Sequence, residues 1–270
     1  MSTIINNETL SEIITSTHWR NIFKQLIRPS NEIHIYKDIM FELIGFQYSF
    51  NPRKDFIISR NVSVFQIIKA KKMYQWYKNK DMYDTSIIDY FPEYRRCFYG
   101  ALTNKRAKCN SNYGVYAFNN FGLDLCIERL KADKLTRHAC FCINSNKAMS
   151  SPDKLCTNAI NFKISNDEKL KMIVQMRSSD FLNLLPYDIF NFTIFYAYVY
   201  EALKEKYKAL KTSDIIVQVN SLHCYLSDLE RINKYTNIHK SIDLSYPNKL
   251  IDFSKKDIIK NLEINLENYV

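Results

Sequence analysis

Apolar residues recur along the chain with two periods, which predicts both helices and strands. Helical spacing of the apolar residues predicts four helices, at Glu8–Leu26, Val64–Lys78, about Phe121–Lys131, and Tyr187–Lys206. The last one contains the longest apolar stretch, Ile189–Tyr200, which also carries an asparagine, a threonine and three tyrosines. That stretch is too short and too polar for a membrane span. We therefore expect a buried helix and no membrane partner.

Alternating apolar and polar residues predict strands in much of the remaining chain. The strand-like segments are Ile33–Phe50, Phe56–Ile58, Ala139–Ile143, Asn158–Ile164, Leu170–Met176 and Ile215–Val219. A turn at Asn51-Pro52 interrupts the first two, and Ser165–Glu168 has the composition of a hairpin connection. Together the patterns predict an α+β fold, with a mixed sheet packed against the long apolar helix.

Length and composition indicate one packed domain. The chain has 270 residues, of which 46% are hydrophobic and 14% aromatic, typical of a globule rather than a disordered chain. It shows no tandem repeat, no low-complexity run and no linker of glycine, serine or proline. We therefore expect a single domain over residues 1–270.

The formal net charge of +10 narrows the function only slightly. The basic residues form no long tract, so a solvated charged face and attraction of anionic ligands both explain the charge. RNA binding would rest on charge alone and is disfavoured. The four glycines are too few and too scattered for a dinucleotide or ATPase phosphate loop. Side chains would have to hold any phosphate.

The cysteines point to a reducing compartment. Their number, seven, is odd, and the N-terminus is polar and acidic rather than basic and then apolar. We expect buried, reduced thiols in a cytoplasmic protein. No pair of cysteines or histidines has zinc-finger spacing, so no metal is expected.

Cys156 and the Arg177-Ser178 pair are the first candidates for chemistry. Cys156 stands at the start of a predicted strand, where a core thiol is the simpler interpretation. A nucleophile needs thiolate character, which Arg177 would promote from one hairpin away. The guanidinium fork of Arg177 and the hydroxyl of Ser178 can grip a phosphate, although a surface arginine beside a turn serine has the same pattern.

Three further residues suggest recognition of a base and a sugar. Asp188 follows Pro186 at the start of the long helix, where it is either an N-cap or a carboxylate facing the amino group of cytosine. Uracil offers an acceptor at that position, so a carboxylate disfavours it. His223 and Tyr225 alternate at a strand end and point the same way, so both can donate to a sugar hydroxyl. A buried histidine is the alternative.

In this order the residues resemble the thymidylate synthase superfamily, and most closely its deoxycytidylate hydroxymethylase branch. The similarity runs from about Gly45 to Tyr225, and eleven residues separate Arg177 from Asp188 as in the family. The matching segments are Glu42-Leu-Ile-Gly45, Trp76-Tyr-Lys78, Ser111-Asn-Tyr-Gly114, Arg137, Cys156-Thr-Asn158, Met176-Arg-Ser-Ser-Asp180, Asp188 and Ser221-Leu-His-Cys-Tyr225. The resemblance implies a thymidylate synthase-like fold and a homodimer joined through one face of the sheet.

The resemblance also implies a role for each candidate. Cys156 would add to carbon 6 of the pyrimidine, and Asp188 stands where cytosine-specific members have Asp and uracil-specific members have Asn. The other ligand contacts it implies are Arg177, Ser178 and the partner's Arg137 for the 5′-phosphate, His223 and Tyr225 for the 3′-hydroxyl, and Asp180 for the pterin of the folate.

The activity implied is transfer of a one-carbon unit from 5,10-methylenetetrahydrofolate to carbon 5 of dCMP or CMP. Thiolate addition at carbon 6 makes carbon 5 the nucleophilic carbon of an enamine, which attacks the one-carbon unit. Loss of the folate leaves an exocyclic methylene, and its capture by water gives hydroxymethyl while capture by hydride gives methyl. The sequence leaves open ribose against deoxyribose, and water against hydride.

Three positions depart from the family pattern. Met73 stands where the family has a catalytic glutamate, and a thioether neither organises water nor relays protons. The usual pair of arginines is Arg137-His138, and Asn261–Val270 lacks the closing tail of thymidylate synthases. An alternative hypothesis follows from Met73: a catalytically altered homologue that binds a pyrimidine nucleotide without normal turnover.

Overall fold

Four α-helices of the computed structural model correspond to the four predicted ones, and two others, Gly114–Ala117 and Ile258–Glu267, were not predicted. The structure describes residues 17–35, 38–55, 65–99, 107–145, 149–229 and 251–267. Its α-helices are α1 (Thr17–Leu26), α2 (Phe65–Asn79), α3 (Gly114–Ala117), α4 (Leu123–Ala132), α5 (Leu185–Lys204) and α6 (Ile258–Glu267). Short 3₁₀ helices occupy Pro29–Asn31, Ser86–Asp89 and Pro92–Arg96. The part of the first predicted helix before residue 17 lies outside the described residues.

The strands form one mixed sheet. They are β1 (Glu32–Ile35), β2 (Asp38–Phe50), β3 (Cys140–Cys142), β4 (Thr157–Ile164), β5 (Leu170–Met176), β6 (Ser179–Asp180) and β7 (Ile215–Tyr225). Their order is β1-β2-β7-β5-β4-β3, with β6 paired to β7. The pairs β5–β7 and β6–β7 are parallel and the other pairs antiparallel. The hairpin predicted at Ser165–Glu168 is confirmed by the antiparallel β4–β5 pair.

The structure corrects two of the strand predictions, and a third falls on residues outside the described ranges. The segment predicted as one strand from Ile33 to Phe50 is two antiparallel strands, β1 and β2. The strand predicted at Ile215–Val219 continues to Tyr225, because β2 and β6 pair with its second half. Phe56–Ile58 is not among the described residues.

Helix α5 lies at the centre of the core, as its apolar sequence predicts. Phe192 and Phe195 are 1% and 0% exposed, and burial of each such side chain stabilises the fold by about 2–3 kcal/mol. Tyr196 connects the helix to the sheet, because its hydroxyl donates to the Leu170 carbonyl of β5 at 2.9 Å. Helices α2, α4 and α6 pack around α5. The described residues therefore show mixed α and β structure, with a mixed sheet and a long buried helix.

One face of the sheet is buried, and the other is more open and carries polar side chains together with half-buried isoleucines such as Ile173 and Ile216. Along β5, Met172, Val174 and Met176 are buried, while Gln175 is exposed. On the same open face Gln218 of β7 donates to the side-chain oxygen of Gln47 on β2 at 3.1 Å. This alternation is typical of a sheet that packs helices on one side only.

A turn before α3 holds the end of α2. The amide of Asn112 is buried and donates to the carbonyls of Trp76 and Asp81, while its oxygen accepts from the Gly114 N–H. The backbone of Gly114 therefore lies directly against that of Tyr77. A Cβ added at Gly114 would meet the Tyr77 carbonyl oxygen at 1.7 Å.

Gly114→Ala is expected to lower the free energy of unfolding by about 3 kcal/mol or more, because the clash is with helix backbone that has no flexible end to move. The measurement is urea denaturation of the wild type and the variant. Gly45→Ala is the matched control: it has no atom within 4 Å of the new Cβ and carries only the strain of a φ of +62°, worth about 1–2 kcal/mol. An equal loss of unfolding free energy in Gly114→Ala and Gly45→Ala would contradict the packing argument.

Candidate functional site

The β4–β5 hairpin brings Cys156 and Arg177 side by side. Cys156 precedes β4, Arg177 follows β5, and the Arg177 N–H donates to the Cys156 carbonyl at 2.8 Å. The Nη2 atom of Arg177 lies 3.6 Å from the Cys156 sulfur. A half-buried thiol therefore faces a fixed positive charge.

The charge of Arg177 does not by itself make Cys156 a thiolate. Burial raises the pKa of the Cys156 thiol to about 11, Arg177 opposes this rise, and nearby Asp188 adds to it. The sequence led us to expect thiolate character from Arg177, but desolvation outweighs the single cation here. In the free protein the Cys156 thiol is protonated at neutral pH.

Alkylation of Cys156 by iodoacetamide is expected to speed up about 100-fold between pH 7 and pH 9. The thiolate is the reactive form, and its fraction grows about tenfold for each pH unit below the pKa. The rate is measured by mass spectrometry of the peptide that contains Cys156. A rate that is already level at pH 7 would show that the thiol ionises below neutral pH, contrary to the structure.

Arg177 also fixes the loop in front of Cys156. Its Nε donates to the Leu155 carbonyl at 2.8 Å and its Nη2 to the Lys154 carbonyl at 2.7 Å. These bonds hold the guanidinium plane in place, and Nη1 keeps donors for an anion. The next residue, Ser178, places its hydroxyl 3.4 Å from Nδ1 of His223. The proposed phosphate and sugar contacts are therefore neighbours.

Strand β7 carries His223 and Tyr225, whose rings meet edge to face with centroids 5.4 Å apart. Asp180 of β6 lies opposite His223 in the parallel β6–β7 strand pair. The Asp180 carboxylate accepts hydrogen bonds from the N–H groups of Leu182 and Asn183 and from the Asn183 amide, at 2.9–3.1 Å. Its observed partners thus belong to the turn between β6 and α5.

Asp188 is not the N-cap of α5. The helix begins two residues earlier than predicted, with Leu184 at the N-cap, and Asp188 donates its backbone N–H to the Leu184 carbonyl at 3.0 Å. The capping hypothesis is therefore wrong. Burial, with a smaller contribution from Asp180, raises the pKa of the Asp188 carboxyl to about 8. The group is mainly neutral at pH 7, so it can donate one hydrogen bond and accept another.

Tyrosines surround the Asp188 carboxyl. Those whose pKa is raised in part by its negative charge, after the larger effect of burial, are Tyr48, Tyr77, Tyr94 and Tyr113. The Asp188 side chain is half-buried. The Tyr48 hydroxyl is buried without a hydrogen-bond partner among the described residues. The surroundings of Asp188 therefore offer polar groups, which suit a base more than an apolar ligand.

Tyr113 is a site residue that the sequence did not single out. Its hydroxyl accepts a hydrogen bond from the Thr157 N–H at 3.2 Å, directly beside Cys156. Its ring stacks on Tyr77 with centroids 5.6 Å apart. Its place in the Ser111–Gly114 segment was the available signal, but only the fold brings that segment to Cys156.

Arg137 and Met73 stand apart from this cluster. Arg137 is exposed in the loop between α4 and β3, and its side chain has no hydrogen bond or ion pair to the described residues. Met73 is 1% exposed on α2 and belongs to the core. Cys156, Arg177, Ser178, Asp180, Asp188, His223 and Tyr225 are thus the predicted residues that one chain brings together.

The other cysteines, the metal-binding side chains and the hydrophobicity of the helices add little evidence about function. All seven cysteines are free, but only Cys109, Cys126 and Cys224 are buried, fewer than expected. Within the described ranges no three histidine, cysteine or acidic side chains are grouped to hold a metal ion. No described helix combines the length and hydrophobicity needed to cross a bilayer.

Comparison with known proteins leaves the family undetermined. No family model matches the chain, and no curated protein matches it either. The function therefore has to be inferred from the residues of the site.

Proposed function

We propose that the protein transfers a one-carbon unit from 5,10-methylenetetrahydrofolate to carbon 5 of a cytidine 5′-monophosphate, dCMP or CMP, and forms the hydroxymethyl product. The observation that carries this proposal is the convergence of the Cys156 thiol, the Arg177 guanidinium and the neutral Asp188 carboxyl. The order of these residues resembles deoxycytidylate hydroxymethylases, and a thymidylate synthase-like fold is part of the proposal.

Cys156 would supply the nucleophile. Its addition to carbon 6 makes carbon 5 the nucleophilic carbon of an enamine, which can attack the one-carbon unit. The thiol gives its proton to solvent as the bond from sulfur to carbon 6 forms, and Arg177, 3.6 Å from the sulfur, stabilises the developing negative charge. A half-buried thiol that is protonated at rest reacts slowly with other electrophiles until the nucleotide is held beside it.

Asp188 would select the base. A neutral carboxyl donates one hydrogen bond and accepts one, which matches ring nitrogen 3 and the amino group of cytosine. Ring nitrogen 3 of cytosine is basic. The hydrogen bond that it accepts from the acidic O–H of Asp188 therefore has partial ionic character, which strengthens it. The carbonyl oxygen of uracil is a weaker base, and the preference for cytosine follows.

The remaining contacts follow the resemblance. Arg177 and Ser178 would bind the 5′-phosphate, joined by Arg137 of the partner subunit in a homodimer. The exposed position of Arg137 fits such a role, and the open face of the sheet is the surface that would meet the second copy. His223 and Tyr225 would contact the 3′-hydroxyl, and Asp180 the pterin.

The test of this proposal is hydrogen exchange at carbon 5 of dCMP in heavy water, without folate. Reversible addition of Cys156 at carbon 6 makes the hydrogen on carbon 5 exchangeable. In the presence of the protein we expect one deuterium to replace the hydrogen on carbon 5, which raises the mass of dCMP by about 1 Da. Nucleotide that binds but does not exchange would contradict covalent catalysis.

A second candidate function is nucleotide binding without turnover, and Met73 is the observation that favours it. Its side chain is 1% exposed in the core, and no acidic residue occurs in α2. The proton relay expected of a glutamate at this position is therefore not supplied by that helix. Tight dCMP binding with neither exchange nor product would identify this second function.

A further inference from the structure

A chain of hydrogen bonds links His223 to an acidic residue on the next strand. Glu42 of β2 lies directly opposite His223 of β7 in the antiparallel pair. Ser221 precedes His223 by two residues, so the two side chains lie on the same face of β7. The Ser221 hydroxyl bonds the Glu42 carboxylate, and its oxygen lies 3.5 Å from Nδ1 of His223.

The direction of the Ser221–Glu42 bond is fixed by chemistry. A carboxylate has no hydrogen to donate, so Ser221 donates its single hydroxyl hydrogen to Glu42. The Ser221 oxygen can then act only as an acceptor towards His223. An unprotonated Nδ1 would face this oxygen lone pair to lone pair, whereas a protonated Nδ1 completes the chain.

Ser178 is compatible with the same assignment. Its hydroxyl oxygen lies 3.4 Å from the same Nδ1 and can accept as well as donate. Nδ1–H then has two acceptors, both at long hydrogen-bond distances. No described residue hydrogen-bonds Nε2 of His223. In a neutral imidazole one ring nitrogen carries the hydrogen and the other accepts, so a hydrogen held on Nδ1 leaves Nε2 as an acceptor.

We propose that Glu42, acting through Ser221, is a positioning residue that holds neutral His223 as the Nδ1–H tautomer, with Nε2 as a hydrogen-bond acceptor. His223 then takes a hydrogen bond from a ligand hydroxyl instead of giving one, the reverse of what the sequence suggested. The identity of that ligand rests on the proposed function, under which it is the 3′-hydroxyl of the nucleotide. The site therefore prefers a sugar whose 3′ group can donate.

The tautomer can be measured in the free protein, without any nucleotide. The two ring nitrogens are distinguished by proton–nitrogen correlation NMR of protein with ¹⁵N-labelled histidine, and His223→Gln assigns the signal among the five histidines. We expect Nδ1–H in the wild type and a shift towards Nε2–H in Glu42→Ala and Ser221→Ala. Ser221→Thr, which keeps the hydroxyl, is expected to restore the wild-type pattern.

The matched control is Gln47→Ala, which breaks the side-chain bond to Gln218 between the same two strands and is expected to leave the tautomer unchanged. Nε2–H in the wild type would overturn the proposal. So would an Nδ1–H tautomer that persists in both Glu42→Ala and Ser221→Ala.

Binding measurements address the ligand. We expect 3′-fluoro-2′,3′-dideoxy-CMP, whose fluorine can accept but not donate, and 2′,3′-dideoxy-CMP both to bind about tenfold more weakly than dCMP. Ser221→Ala is expected to remove most of this difference. Equal binding of the fluoro and hydroxyl nucleotides would overturn the acceptor role of Nε2. If no cytidine nucleotide binds, the proposed function fails while the NMR result still decides the tautomer.

Discussion

Replacing Cys156 with alanine is expected to lower turnover of dCMP by at least about 10³-fold and to remove the carbon 5 exchange. Without the thiol nothing in the site adds to carbon 6, and carbon 5 remains a poor nucleophile. Binding of dCMP should change little, because Arg177 keeps its bonds to Lys154 and Leu155 when the sulfur is removed. The measurement pairs turnover with the dissociation constant of dCMP.

Cys142→Ala is the matched control for this experiment. Cys142 is exposed on β3 and, like Cys156, is a free thiol. Its removal is expected to leave both turnover and binding as in the wild type. Full turnover in Cys156→Ala would show that the reaction does not pass through an adduct at this sulfur.

Asp188→Asn is expected to flatten the pH dependence of stability. The unfolded chain ionises near the usual pKa of 3.8, whereas the folded protein keeps this proton until about pH 8. Between these values the folded state binds more protons, so its stability falls as pH rises, by at most about 1.4 kcal/mol per pH unit. From pH 5 to pH 8 the loss attributable to Asp188 is on the order of 3 kcal/mol.

Urea denaturation at pH 5 and pH 8 measures this effect. The matched control is Asp167→Asn on the hairpin between β4 and β5, where a hydrogen bond from Lys169 lowers the pKa of the carboxyl to about 2. That group is ionised in both states above pH 5 and cannot contribute to the slope. A slope that is the same in the wild type and Asp188→Asn would mean that Asp188 ionises normally.

The same substitution is expected to shift base preference from cytosine towards uracil, by about tenfold. An amide loses the acidic O–H that favours the basic ring nitrogen of cytosine. In the wild type, dCMP binding is expected to weaken above about pH 8, where Asp188 ionises and loses its donor. Asp188→Asn should bind dCMP equally well on both sides of pH 8.

Much of the fold could be predicted because the apolar pattern of each element is strong. The long helix was predicted at Tyr187–Lys206 and is α5, Leu185–Lys204. Leu170–Met176 was predicted to the residue, since one face of β5 is wholly buried and its alternation is clear. The break between β1 and β2 was missed because no glycine or proline marks it.

The chemistry of the site was less predictable. Candidate residues could be named from type and order, and the fold brings most of them together, but their protonation could not be predicted. The pKa of Cys156 and of Asp188 depends on burial by distant segments, and the sequence pattern around each gives no measure of it. The tautomer of His223 depends on Glu42, 181 residues away along the chain and adjacent only through the β2–β7 pair.

The measurement that tests the central claim most directly is mass analysis of CMP, dCMP and dUMP after incubation with the protein and 5,10-methylenetetrahydrofolate. The account predicts that a cytosine nucleotide gains the mass of one CH2O unit, as hydroxymethyl replaces the hydrogen on carbon 5, while dUMP is unchanged. A product from dUMP would contradict the role of Asp188. No product from any of the three nucleotides, with dCMP still bound, would contradict the proposed transfer and leave a nucleotide-binding protein.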